Sequence, residues 1–415
     1  MNIKMLCASV LTLGILAASL LTACAAEPKL TIENESLTDT ELSYTVSSNE
    51  PLAGTLICAV YDENGVLRGI SMEENKNTRQ EWTVNVEAEF EKGMSKIFFW
   101  NSLNGMTPWV KSISSVWTKD NDFEAYTGDT KISDVISDKC FNDYGRLIFP
   151  VNSGYYSGDT LKNLRLTWYN YIDTDKTVEI ANYLKKHAAG GETIFYDIYT
   201  EAEKSADPEK RNTGLFFFRG NPGEKFAVCN AGGGFAYVGA MHDSFPHALE
   251  LSKKGYNAFA LIYRPGWETA YEDLGRAISF IIDNADELEV DIDGYSLWGG
   301  SAGARMAATL GNANYLKQYT KRADIPQATA VIMQYTGYTD ASASDAPTYA
   351  CVGTNDGIAS WRTMQNRLNT LTNSYGIKTE FHAYNGLPHG FGLGTGTVAE
   401  GWIDDAISFW EENIK

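Results

Sequence analysis

At 415 residues and 44% hydrophobic content, the chain is longer than one average domain and can bury at least one large core. Its net charge of −19, with no arginine-rich stripe or lysine run to offset it locally, argues against nucleic acid as a partner.

The chain opens "MNIKMLCASVLTLGILAASLLTAC", with Lys4 ahead of an apolar run over 5–21. Residues 1–23 read as a secretory signal, too short and too poorly flanked for a permanent membrane span. The stretch Leu21-Thr22-Ala23-Cys24 resembles the bacterial lipobox, which implies cleavage before Cys24 and lipidation of that cysteine. Two acyl chains there would anchor the protein stably to a membrane. An ordinary secretory signal cut near Ala25 or Ala26 is the alternative, and either one predicts an extracytoplasmic protein. The remaining cysteines, Cys58, Cys140, Cys229 and Cys351, form no C-x-x-C pair and have no zinc-type spacing. Cys229 and Cys351 fall inside predicted strands and read as small core residues.

Residues 28–118 alternate apolar and polar positions in short runs such as "ELSYTVSSN" and "EWTVNVEAEF", with Glu63-Asn64-Gly65 as a hairpin turn. The pattern predicts a small antiparallel β-sandwich. Its close, "KIFFWNSLNGMTPW", resembles the immunoglobulin-like modules of bacterial surface proteins. Trp100, Trp109 and Trp117 read first as core aromatics, with a sugar-stacking face as the alternative. Residues 119–150, which open on the polar run "KDNDFEAYTGDTKISDV", read as a linker.

From 151 to 415 the texture changes. The segment 164–191 predicts a helix ending near Gly190, and residues 151–191 could serve as a lid through Trp168, Tyr169 and Tyr171, or pack as an ordinary extension. Eight strand-like runs follow: "TIFYDIYT", "TGLFFFRG", "KFAVCNAGG", "NAFALIYRPG", "GYSLWGG", "ATAVIMQYTG", "PTYACVGTND" and "KTEFHAYNG". From the fourth onward they alternate with helical stretches. Continuous apolar strands between helices predict an α/β domain, a mostly parallel sheet covered on both faces.

Residues just beyond the strands are where such sheets gather ligands. "YSLW" runs directly into "GGSAGARMAATL", placing Ser301 on a tight turn between strand and helix, with Gly299 and Gly303 where side chains would obstruct it. A serine hydroxyl needs a base to become a nucleophile. Of the five histidines, His389 in "GLPHGFGLG" follows the last strand and can reach across the sheet. His382 lies within that strand, His187 ends a lysine-rich helix, and His242 and His247 precede the serine as candidate pocket residues. A carboxylate must orient the imidazole. Asp356 in "GTNDG" follows a strand, with Asp340 and Asp345 as competitors. Three glycines in "CNAGGGFAYVG" free the backbone N–H groups of Gly233 and Gly234, with that of Ala302, to bind an oxyanion.

Taken together, "AGGGF" at 231–235, "YRPG" at 263–266, "GGSAG" at 299–303, "GTNDG" at 353–357 and "HGF" at 389–391 resemble the esterase and lipase branch of the α/β-hydrolase superfamily, which includes acetyl and feruloyl esterases. The resemblance spans residues from about 192 to the C-terminus. It implies an α/β-hydrolase fold, a triad of Ser301, Asp356 and His389, and an oxyanion hole of Gly233, Gly234 and Ala302. Phe235, His242, Arg264 and Tyr335 are the candidates for the pocket wall. Ala231 departs from the family pattern, which usually has a histidine there to brace the glycine loop. The expected function is a serine esterase without metal or organic cofactor, acting on acetyl or feruloyl groups of carbohydrates. A secreted serine peptidase of the same superfamily and a non-catalytic surface binding protein are the alternatives.

Overall fold

The computed structural model describes residues 28, 30–37, 41–62, 66–87, 92–101, 108, 110, 112–118, 124–169 and 171–414. The signal segment, Cys24, the turn at 63–65 and Trp109 lie outside them.

The N-terminal region is antiparallel, with strands β1 (Leu30–Leu37), β2 (Glu41–Asp62), β3 (Leu67–Glu87), β4 (Lys92–Trp100) and β5 (Ile113–Thr118). Period-two patterning sets its faces: Leu42, Tyr44 and Val46 are buried and alternate with less buried Ser43 and Thr45, and Trp82, Val84 and Val86 alternate with exposed polar residues. β2 and β3 are long enough to run through two layers. Their register shifts around Leu52, β1 pairs with the first half of β2, and β4 pairs with the second. β1 and β5 share no ladder yet touch, and Trp82 meets Phe99 at 5.2 Å between ring centroids. The two layers of the expected sandwich therefore form one continuous hydrogen-bonded sheet around a core that includes Leu42, Cys58, Trp82 and Phe99.

The second region carries a two-stranded ribbon, β6 (Tyr156–Ser157) and β7 (Arg165–Leu166), and an eight-stranded sheet. That sheet contains β8 (Phe195–Tyr196), β9 (Gly214–Phe218), β10 (Glu224–Asn230), β11 (Asn257–Ile262), β12 (Val290–Gly300), β13 (Ala330–Gln334), β14 (Thr348–Gly353) and β15 (Thr379–Tyr384). Their spatial order is β15-β14-β13-β12-β10-β11-β9-β8, parallel throughout except for β9. This is the strand order of the α/β-hydrolase fold. β9, β11, β13 and β14 are buried at every residue, as strands covered on both faces must be. Helices Phe245–Lys253 and Trp402–Glu411 meet on one face through His247 and Trp402. Helices Trp267–Asp283 and Ala302–Leu310 pack together on the other.

The linker reading of 119–150 is corrected from residue 124 on. Ile132, Val135, Phe141, Leu147, Ile148 and Phe149 are buried in the core of the large sheet. They sit on a five-residue helix, on an irregular 3-10 segment and on the bend just after it, so their spacing follows neither the helix nor the strand period. The helix expected before Gly190 runs Thr174–Ala189, capped by the Asp173 carboxylate, which accepts from the Lys176 N–H. It buries Thr177, Ile180, Ala181 and Leu184, one face at helical spacing.

Candidate active site

β12 ends at Gly300, and the next residue turns the chain into helix Ala302–Leu310. Ser301 sits at φ 52°, ψ −114°, a conformation that costs on the order of 1–3 kcal/mol for a residue with a side chain. Its N–H donates to the Gln334 carbonyl at 2.9 Å. The turn is held from both sides. A Cβ on Gly303 would collide with the Asn230 carbonyl, and one on Gly299 would collide with the Gly303 carbonyl.

The loops after β14 and β15 converge on Ser301. A Cβ on Gly353 would strike the Leu387 carbonyl, so only glycine lets these two loops approach so closely. Thr354 N–H donates to Tyr384 and Asn355 N–H to Leu387. His389 Nε2 lies 3.0 Å from Ser301 Oγ and Nδ1 lies 2.8 Å from Asp356 Oδ2. The other Asp356 oxygen accepts the N–H groups of Ile358 and Ala359, each at 2.7 Å. The Asp356 side chain is fully buried and that of His389 nearly so. An ionised carboxylate only accepts, so Nδ1 carries the proton and Nε2 offers its lone pair to the serine O–H. The competing carboxylates lie elsewhere: Asp345 accepts from Ser342 N–H and pairs with Arg367, while Asp340 stands on the cleft wall.

In the glycine loop, Gly233 (φ 125°) and Gly234 (φ 60°) take backbone conformations that disfavour side chains. Gly234 and Ala302 line the cleft beside Ser301, and Gly233 lies one residue back. The N–H groups of Gly233, Gly234 and Ala302 donate to no protein acceptor among the described residues.

Ala231 takes no part in bracing this loop through a side chain; Asp243 does that work. Its carboxylate is fully buried and accepts from Gly232 N–H at 2.6 Å, from the Tyr169 hydroxyl at 2.9 Å and from the Tyr335 hydroxyl. Burial, with the Asp243 charge beside them, holds both tyrosine pKa values well above the ordinary range, so both hydroxyls remain donors. The Ala231 carbonyl itself accepts from the Tyr263 hydroxyl at 2.8 Å. Asp243 was not singled out by sequence, and its surroundings, "MHDSFPH", carry no period or motif that marks it.

The pocket candidates divide. Phe235 and Tyr335 line a cleft of about 350 Å³ with Ser301, Ala302, Arg305 and Tyr338. His242 does not. It is buried behind Tyr169, points Nε2 at the Gly390 carbonyl at 3.1 Å, and borders a separate cavity with Tyr171 and Lys176. Arg264 is also withdrawn: Asp273 and Asp207 hold its guanidinium in an interior ion-pair cluster. The arginine at the cleft is Arg305. Segment 151–191 does reach the site. Tyr169 is inserted against Gly232, Gly239 and Gly390, and Trp168, half exposed at φ 72°, lies against Gly234.

Residues 223–366 match the BD-FAE family model, a span that includes the glycine loop, Ser301 and Asp356 and stops before His389. No curated protein matches the sequence. Among solved structures, the chain is similar to a thermophilic esterase from the planctomycete Thermogutta terrifontis at 21% identity, over 48% of this chain and 87% of that one, with a TM-score of 0.43. It is also similar to an acetyl ester-xyloside bifunctional hydrolase from Caldicellulosiruptor lactoaceticus, at 19% identity over 52% and 95% of the two chains, with a TM-score of 0.46. A sugar hydrolase from Lactococcus lactis matches at 20% identity over 49% and 94%, with a TM-score of 0.42.

Proposed function

We propose that this chain is a serine esterase that works through an acyl-enzyme. The observation that carries the reading is the hydrogen-bonded series Ser301–His389–Asp356, opening on a cleft walled by Gly234 and Ala302. In the first step the Ser301 oxygen attacks the ester carbonyl while His389 Nε2 takes its proton, and the buried Asp356 stabilises the imidazolium. The N–H groups of Gly233, Gly234 and Ala302 take up the oxyanion, each donor being worth about 3 kcal/mol or more to the transition state. His389 then protonates the departing alcohol. Water, deprotonated by the same imidazole, cleaves the acyl-enzyme and restores Ser301.

The proposed substrates are acetyl or feruloyl groups on carbohydrates. The match to BD-FAE and the half-exposed Trp168 beside Gly234, a flat apolar surface for a sugar ring, support that choice. The signal-like N-terminus supports an extracytoplasmic site of action with a lipid on Cys24, which palmitate labelling of wild type and Cys24→Ala tests directly.

The test of the chemistry is turnover of short 4-nitrophenyl esters. Ser301→Ala should lose roughly a thousandfold or more in kcat, and equal turnover by both proteins would overturn the reading. Acetylated and feruloylated oligosaccharides assayed beside aminoacyl substrates test the substrate class. Preference for the aminoacyl set would mean a peptidase.

A further inference from the structure

Arg305 stands in the first turn of the helix that Ser301 caps, its backbone N–H donating to the Ser301 carbonyl at 3.3 Å, and it lines the same cleft. In a chain with 53 acidic and 34 basic residues, a guanidinium is normally claimed by a carboxylate. Arg264, Arg276, Arg322 and Arg367 each have one; Arg146, Arg165 and Arg362 have none, but of the unpaired arginines among the described residues it is Arg305 that lines the cleft. Arg305 forms no ion pair among the described residues. It is exposed, with its guanidinium over the ring of buried Tyr338 at 5.7 Å and the neutral Tyr271 hydroxyl as a polar neighbour. A guanidinium held over an aromatic face keeps its planar fork of donors available at the edge, the geometry that binds a carboxylate in bidentate fashion. Asp340 shares the cleft wall but does not pair with it.

Resting on the esterase reading, we propose that Arg305 recognises a carboxylate carried by the substrate, so that the cleft selects anionic esters over neutral ones. Helical spacing sets the reach: the carboxylate sits a few bonds from the scissile carbonyl. It belongs either to the acyl part, as in the monoester of a dicarboxylic acid, or to the alcohol, as in an acylated uronate. A net charge of −19 would otherwise repel such substrates, so Arg305 supplies local attraction against the field of the whole molecule.

The experiment uses the full chain and two matched pairs. One pair is the 4-nitrophenyl monoester of adipic acid and its methyl ester; the other is acetylated methyl glucuronide and acetylated methyl glucoside. Wild type should prefer the charged member of one pair by roughly tenfold or more in kcat/KM, and the pair that responds identifies which side carries the charge. Arg305→Gln should erase that ratio, Arg305→Lys should keep part of it, and Asp340→Asn should raise it. Added salt should shrink it. Equal rates within both pairs for wild type would overturn the proposal, as would an equal loss by Arg305→Gln on charged and neutral members. If Ser301→Ala matches wild type on every ester, the esterase reading fails and this inference with it. Ester turnover that depends on Ser301 without charge preference sinks the Arg305 proposal alone.

Discussion

Asp243 is a residue whose importance depends on partners distant in sequence. Its three donors come from Tyr169, Gly232 and Tyr335, separated from it by 74, 11 and 92 positions. Replacing one carboxylate oxygen with an amide NH2, as in Asp243→Asn, sets donor against donor in a site closed to water. The expected cost is about 1–3 kcal/mol of stability, read from the denaturant midpoint. Gly232 N–H and the Tyr169 hydroxyl share one oxygen and Tyr335 uses the other, so the clash falls on Tyr335, and with the cluster beneath the glycine loop loosened kcat on 4-nitrophenyl esters should also fall. An Asp243→Asn protein with wild-type stability and kcat would mean that the loop is held by other contacts. The order Ser301, Asp356, His389 is legible because each follows a strand, where local turn chemistry exposes a side chain. Arg264 lies in "YRPG", and sequence cannot reveal that Asp273 captures its guanidinium.

At the scale of elements, helix Thr174–Ala189 is tied to helix Phe245–Lys253 by charges. Lys176 lies 2.7 Å from Glu250 and 2.5 Å from Glu179, and Lys253 bonds both glutamates. Partial burial alone would raise the glutamate pKa values. The bonds and charges of Lys176 and Lys253 outweigh it, so Glu179 and Glu250 titrate below the ordinary value of 4.5. Their contribution to stability is therefore complete above that value and is lost as pH falls through the lowered folded-state values. The segment carrying Trp168 and Tyr169 should loosen in that acid window, giving faster proteolysis within 151–191 and a change in tryptophan fluorescence. Lys176→Gln should weaken the pH dependence, and cleavage that ignores pH throughout the window would contradict the tie. The inner strands of the large sheet are readable because burial on both faces makes β9, β11, β13 and β14 unbroken apolar runs, whereas the edge strands β8 and β15 are only partly buried. The buried residues over 124–150 were missed because 3-10 turns give them no period to detect.

For the whole molecule, the buried residues form two separate cores, one around Trp82 and Phe99 and one around the large sheet. Every residue of the candidate site belongs to elements of the second. Separate cores should unfold as separate cooperative units. Calorimetry of the full chain should show two transitions, with an inhibitor bound at Ser301 raising only the one that belongs to the large sheet. A single transition shifted as a whole would show that the two regions fold as one unit.

Sequence by itself determined the α/β class, the strand series and the positions of Ser301, His389 and Asp356, because strand-to-turn grammar and the need for glycine at a crowded turn act over a few neighbouring residues. Tertiary structure alone decided that 124–150 joins the core, that Asp243 braces the glycine loop in place of a histidine at Ala231, and that Arg305 rather than Arg264 faces the cleft. Those outcomes depend on which polar groups meet once water is excluded, and their partners are far apart along the chain.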